Sequence, residues 1–239
     1  MELRRRLLMQ QTGGTPPTPV LTDYLRNEKG KSYIDLNYNM SSNTGLYVDF
    51  VVFDKANSVH AEIIGTSGGN ANFLIRYDSR WTAGDAGGYS STGTIWKCNG
   101  IQGGYNYGFD MNTRYSAGIN IEGSNKVVAN GTEYSTYPYT YSRSDKCYLF
   151  ATSGNGSNYA PYGIGEIGIF NAKIFESGVL VMDLYPYTQN GVNGMYDIIN
   201  NNFYGNAGTG GFTIEQWVGG CKLLIINKLR GFSAERRAA

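Results

Sequence analysis

Two apolar runs late in the chain, residues 167–175 and 179–185, meet at Ser177-Gly178, a pair suited to a tight hairpin turn. Pro186 predicts the end of the second strand, because it has no N–H to give to a ladder. Two shorter runs follow, 195–199 and 203–204, joined across Asn200, Asn201 and Asn202, which tolerate left-handed turns. The stretch 163–213 therefore reads as the closing hairpins of an all-β sandwich, with no catalytic apparatus among its residues.

The preceding part of the body follows the same pattern. Residues 46–54, LYVDFVVFD, are apolar on both faces: Leu46, Val48, Phe50 and Val52 on one, Tyr47, Val51 and Phe53 with Asp49 on the other. Such a run fits a strand buried on both sides. Residues 115–122 alternate cleanly, with Tyr115, Ala117, Ile119 and Ile121 on one face and Ser116, Gly118, Asn120 and Glu122 on the other. Asn130-Gly131 predicts a hairpin turn after the run 126–129. Residues 33–36 read as the first strand, and 61–64 with 72–77 as a hairpin around a glycine-rich loop, 65–70. Further strands are expected near Tyr105 and Tyr107 and at 147–151. Residues 80–102, with Trp81, Tyr89 and Trp96, read as a long irregular loop that either forms a binding edge or packs over the end of the sheet. Many short strands and no convincing helix in the body give a sandwich or barrel.

The two ends read differently. Residues 2–11 are all helix formers, with Leu3, Leu7 and Leu8 on one stripe opposite Arg4, Arg5 and Arg6. A helix this short needs a partner, so it is either an anchoring arm or a frayed terminus. Residues 12–19, TGGTPPTP, form a linker. The division expected is a helical arm and linker at 1–19, one β domain at 20–216 and a tail at 217–239. Leu223, Leu224, Ile225 and Ile226 of that tail need cover, from their own domain or from a partner.

Composition sharpens this. The chain has 239 residues, 41% hydrophobic and only 16% charged, with 20 Tyr and 33 Gly against six Pro, so Asn, Ser, Thr, Gly and Tyr must finish the surface. The net charge of +1 divides into +2 at residues 1–19, +4 at 219–239 and −5 between them. Basic ends on a mildly acidic body either dock onto an acidic neighbour or are simply solvated. The body has no concentrated basic face of the kind nucleic-acid binding needs.

Cys98, Cys147 and Cys221 show no metal-ligand or disulfide spacing, and His60 is the one histidine, so no metal, cofactor or nucleophilic triad is assigned. Free thiols suit folding in a reducing cytoplasm. The start has no signal-peptide core, and no run reaches the ~18 apolar residues of a membrane span, so no membrane role is expected. The glycine-rich stretches 87–93 and 205–211 lack a following Lys-Ser/Thr, which argues against a phosphate loop.

Three segments carry a family resemblance: YSAGINIEGSNKVVANGTEYS; CYLFATSGNG followed by GEIGIFNAKIFESGVLVMDLYP; and GMYDIINNNFYGNAGTGGF. Over residues 33–213 the chain resembles the concanavalin A-like (laminin G-like) jelly-roll superfamily. The last segment, with the opening MELRRRLLMQQ, resembles such domains in tailed bacteriophages of gut bacteria. The resemblance implies a virion structural protein: a head or tail appendage, a fibre or a decoration protein that displays a lectin-like domain. It also implies other virion proteins as partners and a homo-oligomer. The assembly interface is read instead from the apolar and basic residues of the two ends, Leu3, Arg4, Arg5, Arg6, Leu7 and Leu8 with Leu223, Leu224, Ile225 and Ile226. The alternative is a module that binds a host-surface glycan through Trp81, Tyr89, Trp96, Tyr105 and Tyr107, aromatics that could stack on sugar rings. Hydrolases of this superfamily carry alternating acids on one strand, in a pattern like E-x-D-x-x-E. Here only Glu166 is present; Gly168 replaces the second acid, and neither Phe170 nor Asn171 offers a carboxylate. One acid cannot fill the usual pair of roles, so no enzymatic activity is expected.

Overall fold

The computed structural model describes residues 18–54, 60–68, 71–78, 92–99, 104–108, 111–123, 126–134, 141, 144–152 and 165–218. Sixteen strands and no helix occur among them. In chain order the first eight are β1 (Asp23–Asn27), β2 (Ile34–Asn39), β3 (Thr44–Asp54), β4 (His60–Gly68), β5 (Ala71–Asp78), β6 (Thr92–Asn99), β7 (Gly104–Gly108) and β8 (Arg114–Ile119). The rest are β9 (Val127–Ala129), β10 (Thr132–Tyr134), β11 (Lys146–Leu149), β12 (Glu166–Glu176), β13 (Val179–Gln189), β14 (Val192–Asp197), β15 (Asn202–Tyr204) and β16 (Phe212–Gln216).

They form two sheets. The larger runs β10-β9-β8-β3-β12-β13-β14-β15, and the smaller β2-β11-β4-β5-β6-β7. Pairing is antiparallel throughout. The larger sheet forks. β13 leaves β12 after the pair Ala172–Leu184, and β1 takes its place beside β12 at Leu25–Ile169 and Arg26–Gly168, with β16 on its far side.

The core lies between the sheets. Leu46, Val48, Phe50 and Val52 of β3 and Ile167, Ile169, Ala172 and Ile174 of β12 join Ile63, Ile64, Phe73 and Ile75 of the smaller sheet in one buried cluster. Each such large side chain contributes about 1.5–3 kcal/mol by leaving water. Val51 belongs to a second cluster on the outer side of the large sheet, with Tyr24 and Phe170, so β3 is apolar on both faces as its sequence predicts. Cys147 is fully buried, and burial pushes its thiol well above the ordinary range, which leaves it unreactive.

The predicted turns hold where they fall on described residues. Ser177 and Gly178 adopt φ of 51° and 78°, and Asn130 and Gly131 of 49° and 75°, the left-handed pairs that tight hairpins need. Elsewhere the structure corrects the sequence reading. β13 does not stop at Pro186, which pairs with Met195, and the strand runs on to Gln189. The Asp183 N–H and C=O both turn toward β14, whereas the Leu184 carbonyl accepts from Asn171 of β12. Even-numbered positions therefore face β12, and that ladder has already ended at Leu184, so the missing N–H costs no bond.

Ile121 does not continue the inner face of β8. Asn120 takes φ of 56° and ends the strand, and Ile121 folds onto the outer face over Gly118, where a Cβ would come within 2.6 Å of its Cδ1. The glycine-rich segment after Ile64 is mostly strand, because β4 continues to Gly68. The span 80–102 is not irregular throughout, since β6 occupies 92–99 and pairs with both β5 and β7. β1 went unread in the sequence because DYLRN has no clear alternation, yet it is paired on both sides.

Candidate functional site

Polar and aromatic groups gather on the outer face of the large sheet, around a bulge in β12. Ile169 pairs with Phe50 and Asn171 with Asp49, so Phe170 is an extra residue opposite β3. The bulge leaves Phe170 in the outer cluster beside Asn171, which reaches across the same outer side to Asp183. Lys173 and Phe175 follow with period 2.

These residues line a groove of about 470 Å³ with Tyr47 and Asp49 of β3, Arg114 of β8, Tyr185 of β13, and Leu21 and Ile121. The volume lies in the range that holds a small ligand. Arg114 grips Asp49 with Nε–Oδ1 at 2.9 Å and Nη2–Oδ2 at 2.5 Å, and its guanidinium lies 3.9 Å from the centroid of the Phe170 ring. Its Nη1 also donates to the Leu21 carbonyl at 3.2 Å. The hydrogen-bonded carboxylate raises the Arg114 pKa further above its usual value, so the cation is permanent.

Asn171 is nearly buried, and its Nδ2 donates to Asp183 Oδ1 at 2.8 Å and to the Leu184 carbonyl at 2.9 Å. With the amide hydrogens used inside the sheet, Oδ1 is the atom left to accept from a ligand. Asp183 is fixed in turn, its N–H donating to Asp197 Oδ1 at 3.1 Å. Lys173 Nζ stands 3.6 Å from Asp183 Oδ2, an ion pair too long for a hydrogen bond, which keeps ammonium donors for other partners. Burial raises the phenol pKa of both Tyr47 and Tyr185, the latter helped by the Asp183 carboxylate. Both stay neutral donors at physiological pH.

The other half of β12 is closed. A Cβ at Gly168 would meet Tyr24 Cδ2 at 2.5 Å and Val51 Cγ1 at 2.9 Å. Tyr24 also packs on Phe53, Phe170 and Trp217. Glu166 is held by Arg26, whose Nε donates to Oε1 at 2.7 Å, and Arg26 reaches Glu215 as well. At the position where the family resemblance expects a second acid, any side chain would thus have to displace Tyr24 and Val51. Among the described residues, no three His, Cys, Asp or Glu side chains gather as metal ligands would.

Of the aromatics singled out in the sequence, Trp81 and Tyr89 lie outside the described residues. Trp96 is on β6, paired with Gly104, while Tyr105 and Tyr107 of β7 pair with Ile95 and Gly93. The ladder therefore puts the two tyrosines at one parity and Trp96 at the other. The assembly residues Leu3, Arg4, Arg5, Arg6, Leu7, Leu8, Leu223, Leu224, Ile225 and Ile226 also lie outside the described residues. Sequence reasoning missed the groove. Its signal was the polar interruption of apolar strands, Asp49 in LYVDFVVFD and Asn171 and Lys173 in IFNAKIF.

Two stacked antiparallel sheets, sealed by one core, define an all-β sandwich of the jelly-roll type. No protein-family model matches the chain, and no curated protein matches it by sequence. Among solved structures it is similar to a candidate carbohydrate-binding protein from Bacteroides ovatus, at 13% identity and a TM-score of 0.54, over 84% of this chain. The chain spans 61% of that protein's length. It also matches the native heptameric SAP-like pentraxin from Limulus polyphemus, at 9% identity and a TM-score of 0.43, over 67% of this chain and 81% of the other. The full extracellular region of zebrafish Gpr126/Adgrg6 matches at 12% identity and a TM-score of 0.43, over 84% of this chain and 27% of that one. At these identities the likeness concerns the fold.

Proposed function

We propose that this chain is a lectin-like, non-enzymatic module that binds a glycan in the groove on the outer face of its large sheet. The observation that carries the reading is the groove's mixture of surfaces. Tyr47, Phe175 and Tyr185 offer ring area for the apolar faces of a sugar. The Asn171 amide oxygen and the Lys173 ammonium offer an acceptor and a donor for its hydroxyls. The assignment of the Bacteroides ovatus protein to carbohydrate binding is in keeping with this. The closed half of β12 supports the absence of hydrolysis, because a carboxylate at Gly168 would have to displace Tyr24 and Val51 and Glu166 is tied to Arg26.

The sequence resemblance to tailed-phage domains supports a setting for the module: display on a virion, as an appendage, fibre or decoration protein of a homo-oligomer, anchored by residues 1–19 and 219–239. Host-surface glycan would then be the ligand, and other virion proteins the partners.

A glycan array probed with the full chain tests the binding reading. Binding is expected for the wild type and is expected to weaken in Tyr185→Ala and Lys173→Met. No binding by the wild type would overturn the reading, and loss on Trp81→Ala with Tyr185→Ala unaffected would move the site. Incubation with bound glycan should release no shorter chains. Deleting 1–19 or 219–239 should change oligomer mass and incorporation into particles; if neither deletion changes either quantity, the anchoring reading fails.

A further inference from the structure

The groove is one end of a longer feature. A single register line crosses six neighbouring strands on the outer face. Ser116 pairs with Asp49 and Asp49 with Asn171. Asn171 lies next to the Ala172–Leu184 pair, which brings it beside Tyr185. Tyr185 pairs with Tyr196, and Tyr196 with Phe203. The line is polar over β8, β3 and β12 and aromatic over β13, β14 and β15.

The aromatic half is built as a surface and not as core. Met182 and Leu184 of β13 and Met195 of β14 point into the sandwich, so Tyr185, Tyr187, Tyr196 and Phe203 lie on the opposite side. All four are half-buried. Tyr187 and Tyr196 meet edge to face with centroids 5.4 Å apart. Gly194 leaves the space that the Phe203 ring occupies, since a Cβ there would stand 2.7 Å from Phe203 Cζ. From Asp49 to Phe203 the line crosses four strand spacings, about 19 Å in all. A terminal monosaccharide would fill only the groove and leave the aromatic half unused.

The charges define the ligand further. Arg114 is bound to Asp49, and Lys173 stands beside Asp183, so the two cations of the site face two carboxylates. The two cations are matched one for one, which gives the groove no cationic excess with which to select an acidic sugar.

We infer that the site takes an extended, neutral, linear glycan laid across the strands, with one part in the groove and the next residues stacked on the Tyr187, Tyr196 and Phe203 strip. This rests on the reading of the groove as a sugar site. Each aromatic stack adds affinity without demanding a particular hydroxyl pattern, so chain length matters more than the identity of the terminal residue.

Calorimetric titration of the full chain with cello-, laminari-, manno- and xylo-oligosaccharides, each from disaccharide to hexasaccharide, tests it. Polygalacturonate hexasaccharide serves as the charged control. For at least one neutral series the wild type should bind the hexasaccharide roughly tenfold tighter than the disaccharide. Tyr196→Ala and Tyr187→Ala should remove that length gain and leave disaccharide binding in place. Circular dichroism checks folding of both variants, and Tyr187→Ala carries the readout if Tyr196→Ala unfolds. Equal affinity for disaccharide and hexasaccharide in the wild type overturns the inference. So does a length gain that survives in the folded variants, or tighter binding of the charged control. Failure of the wild type to bind any member, on this panel and on the array, overturns the sugar-site reading itself.

Discussion

The two halves of β12 present opposite solutions on one strand. From Glu166 to Phe170 the outer side is sealed: Tyr24 lies over Gly168, Trp217 and Phe170 flank it, and Arg26 ties Glu166 and Glu215 together. From Asn171 to Phe175 the same side is open, and its polar groups line a groove. Two features make the difference. β1 lies along the first half where β13 has departed, and the Phe170 bulge separates the halves. A sheet face is thus converted to a second small core or left as an open groove by what crosses it, and the strand sequence alone does not choose.

With the groove as the proposed glycan site, substitutions in the closed half are expected to act on stability and those in the open half on ligand. The largest effect is expected for Tyr24→Ala, because Tyr24 is only 2% exposed and supports the whole outer cluster. Loss of about 3–5 kcal/mol should appear in urea unfolding. A loss below about 1 kcal/mol would mean that the outer cluster is no core at all. Gly168→Val comes next, at about 1–3 kcal/mol, as its side chain must displace Tyr24 and Val51. Thermal melting measures it, and an unchanged Tm would show that Tyr24 can swing aside.

Alkaline pH should loosen the closed half. Burial first, then the Glu215 carboxylate that accepts its hydrogen bond, holds the Tyr24 phenol well above its usual 10.0. A folded-state pKa raised in this way gives stability that is intact below pH 10 and falls as pH climbs beyond it. Tyr24→Phe should therefore show a shallower decline above pH 10 than the wild type in pH-dependent unfolding. An identical decline would assign the alkaline sensitivity to other groups. Smallest in stability is Lys173→Met in the open half, expected within about 0.5 kcal/mol of wild type while glycan affinity drops. A large stability loss there would erase the distinction between the halves.

Much of the fold was legible in the chain. The double-faced apolarity of 46–54, the alternation at 115–119 and the hairpin pairs Ser177-Gly178 and Asn130-Gly131 all specify local geometry through side-chain period and allowed φ, and they appear as read. Pro186 misled because its cost depends on which neighbour its nitrogen faces, a property of the ladder and not of the residue. Ile121 misled because one left-handed asparagine reverses the face of everything after it. β1 has no periodic signature at all, and only pairing gives it a place.

The sequence by itself determined the all-β character, the positions of the tight turns and the missing acid at Gly168, since these follow from residue type and short-range spacing. The tertiary structure alone decided that Asp49, Arg114, Asn171, Lys173 and Tyr185 share one groove. Those residues come from four strands separated by up to 136 positions in the chain, and only ladder register and the bulge at Phe170 bring them to one side of the sheet.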